Sequence, residues 1–161
     1  MNFMNSILEV GDKAPDFAIP NQNGETVNLK NFMGRWLVVY FYPRDDTPGC
    51  TVEAKDFTEL KNDFEKNETV ILGVSPDNEA KHCKFIDKHG LKIDLLADCE
   101  KRMLSDYGVW QEKSMYGKTY MGVVRTTYLI DPDGNIAGAW TKVKAKGHAD
   151  AVLKRLIDIR G

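Results

Sequence analysis

Cysteine, histidine and one isolated arginine are the residue types in this chain with chemistry to offer. Cys50 stands out by its context, Pro43-Arg44-Asp45-Asp46-Thr47-Pro48-Gly49-Cys50-Thr51-Val52-Glu53, where an apolar run gives way to helix-compatible sequence. With Thr47 as N-cap and Pro48 as the first helical residue, Cys50 falls at the third helical position. Backbone N–H groups there have no acceptor within the helix. Those donors and the positive helix end favour an anion, so the thiol is expected to ionise more readily than an ordinary cysteine. The Thr47 hydroxyl is expected close to the sulfur, and Gly49 leaves room for the backbone to approach a small ligand. A thiolate held this way is a nucleophile in need of an electrophile. Arg125 is the second signal. A lone cation in the otherwise apolar stretch from Val123 to Ile130 needs an anionic partner, and a thiolate would serve.

The other reactive types carry less. Cys83 sits on a helix whose Phe85 and Ile86 mark an apolar face shared with His82 and His89. At about 100° per residue it lies on the flank of that face. Cys99 follows Asp98 at the start of a short helix and reads as a capping-region thiol. His82 and His89 read as packing or solvated residues, and His148, beside Gly147, as a helix-start residue. Close Cys/His clusters with zinc spacing are absent, as are Gly-x-Gly-x-x-Gly and Walker loops. The sequence therefore asks for no cofactor and no metal. Thr47-Pro48-Gly49-Cys50 holds only the second cysteine of a Cys-x-x-Cys pair, which weakens a thioredoxin-like thiol-transfer module. A non-catalytic binding module is the rival from a different class. Lys142 to Lys146 reads as a solvated loop.

The elements that must position Cys50 and Arg125 follow from pattern. Trp36 to Tyr42 is apolar on both faces, the mark of a central strand covered on both sides, and Pro43 ends it. Phe57, Leu60 and Phe64 recur at helical spacing between Thr51 and about Lys66. Thr69–Val74 reads as a second buried strand. A helix capped by Ser75, with Pro76 first, runs to about Lys88 and is stopped by Gly90. A short strand near Asp94–Leu96, a helix near Glu100–Tyr107 and a strand from Val123 to Ile130 come next. Asp131-Pro132-Asp133-Gly134-Asn135 is a hairpin turn returning through Ile136–Thr141, and a helix over about Ala149–Ile159 closes the chain. Near the start, Asn21–Gly24 joins short strands at Phe17–Ile19 and Thr26–Asn28. This order gives an α/β fold of the thioredoxin-like type: a central mixed sheet flanked by helices, with an N-terminal β-hairpin.

Composition bounds the rest. The length of 161 residues suits one domain over 1–161, with 1–10 as an N-terminal extension. Twenty-two basic against 24 acidic residues leave a net charge of −2, which gives no footprint for nucleic acid or a membrane surface. Trp36 to Tyr42 is too short to span a bilayer. Without a basic, apolar leader, and with a sparse, odd number of cysteines, the protein is expected to be cytoplasmic with reduced thiols. No long exposed apolar stripe is evident, so a monomer is expected.

Pro-x-x-x-Thr-x-x-Cys at a strand-to-helix junction resembles the active-site motif of the peroxiredoxins. Further stretches resemble their bacterioferritin comigratory protein (Q-type) branch: Gly11–Phe17, Thr47–Thr51, Gly73–Asp77, Tyr107–Trp110, Met115–Lys118 and Arg125–Asp131. The resemblance runs from about Gly11 to Ile159. It implies a thiol-dependent peroxidase acting on hydrogen peroxide and organic hydroperoxides, with Cys50 cycling through a sulfenic acid. It implies that Thr47, the N–H groups around Gly49 and Cys50, and Arg125 stabilise the leaving oxygen, and that Pro43 shields the sulfur. It also implies a reductant, either a thioredoxin-like protein or a small thiol. Family members carry a resolving cysteine at positions that here hold Lys55 or Ile86. Cys83, one turn before Ile86, is the remaining candidate. The alternatives are an inert Cys83 and a one-cysteine mechanism.

Overall fold

The computed structural model describes residues 7–161, so residues 1–6 of the expected N-terminal extension lie outside the described residues. Strands β1 (Ala18–Pro20) and β2 (Thr26–Asn28) form the N-terminal antiparallel hairpin. Its turn is built on Asn21, whose Oδ1 accepts the N–H groups of Asn23 and Glu25. A short 3-10 turn at Leu29–Phe32 leads into β3 (Trp36–Phe41), α1 (Pro48–Glu59), α2 (Lys61–Lys66), β4 (Thr69–Ser75) and α3 (Glu79–His89). The second half runs β5 (Asp94–Ala97), α4 (Arg102–Asp106), β6 (Trp110–Met115), β7 (Lys118–Val123), β8 (Thr126–Ile130), β9 (Ile136–Trp140) and α5 (His148–Arg160).

The main sheet has the order β5-β4-β3-β8-β9. Strands β3, β4 and β5 are parallel, whereas β8 is antiparallel to β3 and β9 to β8. Because side chains alternate along a strand, β3 feeds two cores. Leu37, Val39 and Phe41 pack with Leu72, Val74, Leu104, Tyr107 and Tyr128 on one face. Val38, Tyr40 and Tyr42 pack with Ala54, Phe57, Phe64, Phe85, Val152 and Leu156 on the other. A strand buried on both faces must be apolar throughout, which explains the unbroken run the sequence shows there. This is the expected thioredoxin-like arrangement.

The register brings the chemistry to one edge. Phe41, the last residue of β3, pairs with Thr126, the first of β8. Arg125 therefore stands beside Tyr42 and Pro43, where the chain leaves β3 for α1. The C-terminal ends of β4 and β5 open onto the same edge because both run parallel to β3.

Three boundaries differ from expectation. The helix expected from Thr51 to Lys66 is two helices, parted at Leu60, whose N–H bonds back to Asp56 and Thr58 carbonyls. The helix expected to open at Ser75 is capped by Asn78, whose side chain accepts the Lys81 N–H at 2.9 Å. Ser75 instead ends β4 and donates its hydroxyl to Asp77 Oδ2. Finally, Val123–Ile130 is not one strand. Strand β7 pairs with β6 in a separate hairpin and β8 pairs with β3, so Val124 and Arg125 form the link between two sheets. Arg125 is thus at a strand junction and not within a strand.

Candidate active site

Thr47 is the N-cap of α1 and Pro48 its first residue, so Cys50 occupies the third helical position as the spacing predicts. The first helical bond runs from the Thr51 N–H to the Thr47 carbonyl at 2.8 Å. The N–H groups of Gly49 and Cys50 come before it and have no acceptor inside the helix. Thr47 does not cap the helix with its side chain; its hydroxyl donates to the Arg44 carbonyl at 2.9 Å. With that hydrogen committed, the Thr47 oxygen is left to act as an acceptor.

Cys50 is 1% exposed. Arg125 Nη2 donates to its Sγ at 3.3 Å, and Nη1 donates to Glu53 Oε1 at 2.6 Å. One guanidinium therefore spans a thiol and a carboxylate placed three residues apart on α1, neighbours on one helix face. The planar fork suits this double duty in a way a lysine ammonium does not. Burial opposes the Arg125 charge, but Glu53 and Cys50 together outweigh it and hold the guanidinium above its ordinary range. Gly49 makes the approach possible: a Cβ there would stand 3.2 Å from Nη2. The space left by the missing side chain is thus taken up by the guanidinium, whereas the sequence suggests the approach of a small ligand. Pro43 lies half-buried just past β3 at the same edge.

Glu53 escaped the sequence reading. Its side chain is fully buried and its Oε2 has no partner among the described residues; the Tyr40 hydroxyl is in the same position. Burial pushes the Glu53 carboxyl up to about 7, while the Arg125 charge and hydrogen bond pull against it. The available signal was its spacing, three residues after Cys50 and one before Ala54, on the face that also carries Phe57. His148 was read as a helix-start residue, and it does open α5, but it is buried. Its Nε2 lies 2.7 Å from Thr127 Oγ1, and Phe57 and Trp140 meet its ring edge-on. Burial and the Arg125 charge push it down to about 4.

The other two thiols lie away from this cluster. Cys83 is half-buried on the flank of α3, as helical geometry predicts, and its Sγ donates to the Gln22 carbonyl at 3.1 Å. Cys99 is exposed, with its sulfur 3.8 Å from the Asp77 carbonyl. Burial, Glu79 and Asp98 push its thiol up. Asp98 does the capping for α4, accepting the N–H groups of Arg102 and Leu104. His82, expected to be a packing or solvated residue, is fully buried and bonded through both ring nitrogens, to Asp45 and to the Leu96 carbonyl.

The sequence and the fold that bring Cys50 and Arg125 together are similar to those of known proteins. Residues 10–139 match the AhpC/TSA family. Peroxiredoxin Bcp of Bacillus subtilis is 45% identical over 152 residues, covering 94% of this chain and 97% of its own. Peroxiredoxin Bcp of Escherichia coli is 42% identical, with 92% and 96% covered. Among solved structures, the Xanthomonas campestris bacterioferritin comigratory protein superposes with a TM-score of 0.90 at 39% identity, covering 95% of this chain and all of its own. Xylella fastidiosa PrxQ gives a TM-score of 0.92 at 33% identity, with 97% and 99% covered. The chain belongs to the AhpC/TSA family and is a thiol-dependent peroxidase of its Bcp/PrxQ branch.

Proposed function

We propose that Cys50 is the peroxidatic residue and that the cluster around it performs the whole of the peroxide-cleaving step. The thiolate attacks one peroxide oxygen in line with the O–O bond. That bond breaks as the S–O bond forms, leaving Cys50 as a sulfenic acid and releasing hydroxide or alkoxide, which takes a proton to become water or an alcohol. Arg125 and the free N–H groups of Gly49 and Cys50 face the charge as it moves from sulfur to oxygen. Thr47 Oγ1, its own hydrogen held by Arg44, accepts the O–H of the peroxide. Pro43 shields the sulfur, and Glu53 fixes the arginine. The observation that carries this reading is the 3.3 Å contact from Arg125 to a fully buried sulfur at a helix N-terminus. Alkyl peroxide reduction, named for the Xanthomonas protein, supports organic hydroperoxides as substrates alongside hydrogen peroxide.

For the return half of the cycle we propose Cys83 as the resolving thiol. Its sulfur attacks the Cys50 sulfenic acid, forming the disulfide and expelling water. Two thiol equivalents from a thioredoxin-like protein or a small thiol then restore both cysteines. A disulfide needs its Cα atoms within about 7 Å, and Cys83 now points at the N-terminal hairpin, so the first turn of α1 must unwind. The odd, sparse number of cysteines is the ground on which we propose a reducing, cytoplasmic setting, and we take the working form to be a monomer. The test is intact mass with peptide mapping after one equivalent of hydrogen peroxide. Loss of two hydrogens mapped to Cys50–Cys83 is the expected result. Oxygen gained on Cys50 alone would assign a one-cysteine route, and Cys50→Ser must abolish peroxide consumption while leaving the fold intact.

A further inference from the structure

The segment between β3 and α1 is fastened to α3 by its acidic residues. Asp45 Oδ2 lies 2.6 Å from His82 Nδ1, with both side chains buried, 5% and 0% exposed. Asp45 Oδ1 accepts the Tyr42 hydroxyl at 2.6 Å, and its backbone N–H donates to Asp77 Oδ2 at 2.7 Å. The imidazole is fixed from behind: its Nε2 lies 2.8 Å from the Leu96 carbonyl. A carbonyl only accepts, so Nε2 carries a hydrogen. Nδ1 and Asp45 then hold one proton between them, and neither can turn away without leaving a buried polar atom unpaired. One residue on, Asp46 makes a second, exposed attachment, with Lys88 Nζ at 2.7 Å and His89 Nε2 at 2.8 Å. Asp46 adopts a left-handed backbone, φ +59°, a conformation that outside glycine needs holding in place.

These contacts sit at a decisive place. The segment they hold runs directly into Thr47 and Cys50, and the α3 turn that supplies His82 also supplies Cys83. We propose that Asp45 and His82 are positioning residues, a latch that holds the start of α1 in its peroxide-cleaving geometry, with Asp46–Lys88/His89 as its outer catch. Release of the latch frees the first turn of α1 to unwind toward Cys83. The clasp thereby sets the balance between the cleaving and resolving halves of the cycle. The second half of this inference rests on the proposed resolving role of Cys83; the first does not.

The test compares wild type with Asp45→Ala, Asp45→Asn and Asp46→Asn. Three readouts are followed: single-turnover hydrogen peroxide consumption, amide hydrogen exchange over residues 45–52, and disulfide formation after oxidation. Asp45→Ala is expected to slow peroxide consumption about tenfold and to raise exchange over 45–52 by a similar factor, because a buried charge-assisted bond is lost. Exchange in β3 and β4 is expected to stay put, and disulfide formation to become faster. Asp45→Asn can donate to Nδ1 of a neutral His82 while still accepting from Tyr42, so it is expected to restore most of the peroxide rate. Asp46→Asn, at an exposed position, is expected to shift the readouts the same way by less. Unchanged exchange over 45–52 in Asp45→Ala would overturn the latch, as would slowing of both half-reactions together without rescue by asparagine. If wild type forms no Cys50–Cys83 disulfide, the resolving role fails, and the peroxide rate and exchange still decide the latch.

Discussion

Two buried titratable groups beside Arg125 have opposite pH dependences, and removing either one exposes the other. Glu53 is held at about 7 against an ordinary 4.5. Between those values the folded chain binds more protons than the unfolded one, so stability falls as pH rises, and the full penalty is in place above pH 7. At about 1.4 kcal/mol per pH unit it amounts to about 3 kcal/mol. His148 is held at about 4 against an ordinary 6.5. There the folded chain binds fewer protons, so the stability from keeping the ring neutral is complete above pH 6.5 and is lost as pH falls toward 4, again about 3 kcal/mol. From about pH 4.5 to 6.5 the two slopes cancel.

The perturbations are Glu53→Gln, which keeps an acceptor for Arg125 without the charge, and His148→Gln, which keeps a polar group near Thr127. Urea unfolding of the reduced proteins from pH 4 to 8 can be followed by the fluorescence of Trp36, Trp110 and Trp140. The quantity to plot is each variant's stability minus that of wild type, because all other titrating groups cancel in the difference. For Glu53→Gln this difference is expected to climb by about 3 kcal/mol between pH 4.5 and 7. For His148→Gln it is expected to climb by a similar amount in the other direction, as pH falls from 6.5 to 4. A difference curve for Glu53→Gln that is flat with pH would show that the buried carboxyl titrates in its ordinary range and that burial does not raise it.

Three further outcomes follow from the same geometry. Arg125→Lys loses the fork that joins Glu53 to Cys50, and kcat/KM for hydrogen peroxide in a steady-state assay is expected to fall about 100-fold. Gly49→Ala places a Cβ 3.2 Å from the guanidinium; kcat/KM is expected to fall about tenfold while urea stability holds, since alanine is the better helix former by about 1 kcal/mol. Phe57→Ala removes a fully buried ring stacked 4.7 Å from Tyr40 and set against Phe64, and denaturant unfolding is expected to show a loss of about 3–5 kcal/mol.

What could be read from the sequence was whatever local chemistry encodes. Thr47-Pro48 marks a helix start by capping preference and by the fixed φ of proline, so the position of Cys50 on α1 followed without any tertiary information. Gly90 stops α3 as expected, in the left-handed conformation its lack of a Cβ permits. The β6–β7 hairpin shows the limit. It turns on Tyr116 and Gly117, both at positive φ, and tyrosine gives none of the asparagine or aspartate signal by which such turns are recognised. Its strands are largely exposed, so no burial pattern marks them either. The break at Leu60 has no proline or glycine to announce it.

The residues missed at the site share a different cause. Glu53 and Asp45 are carboxylates whose partners lie 72 and 37 residues away in the chain, and composition assigns such residues to the surface; His82 packs, as one of its two expected readings has it, but its bonds to Asp45 and the Leu96 carbonyl are not local. Only the register places them. Pairing Phe41 with Thr126 puts Arg125 over α1, and that cation is what allows a carboxylate to be buried at position 53. Running β5 parallel to β4 puts the Leu96 carbonyl behind His82, and the fixed imidazole can then hold Asp45. The nucleophile is thus set by a local helix start, whereas the groups that aim and restrain it are set by the order of strands in the sheet. A substitution that preserves the Thr47–Cys50 motif but shifts the β3–β8 register is therefore expected to leave a cysteine that alkylating reagents still find and peroxide no longer does.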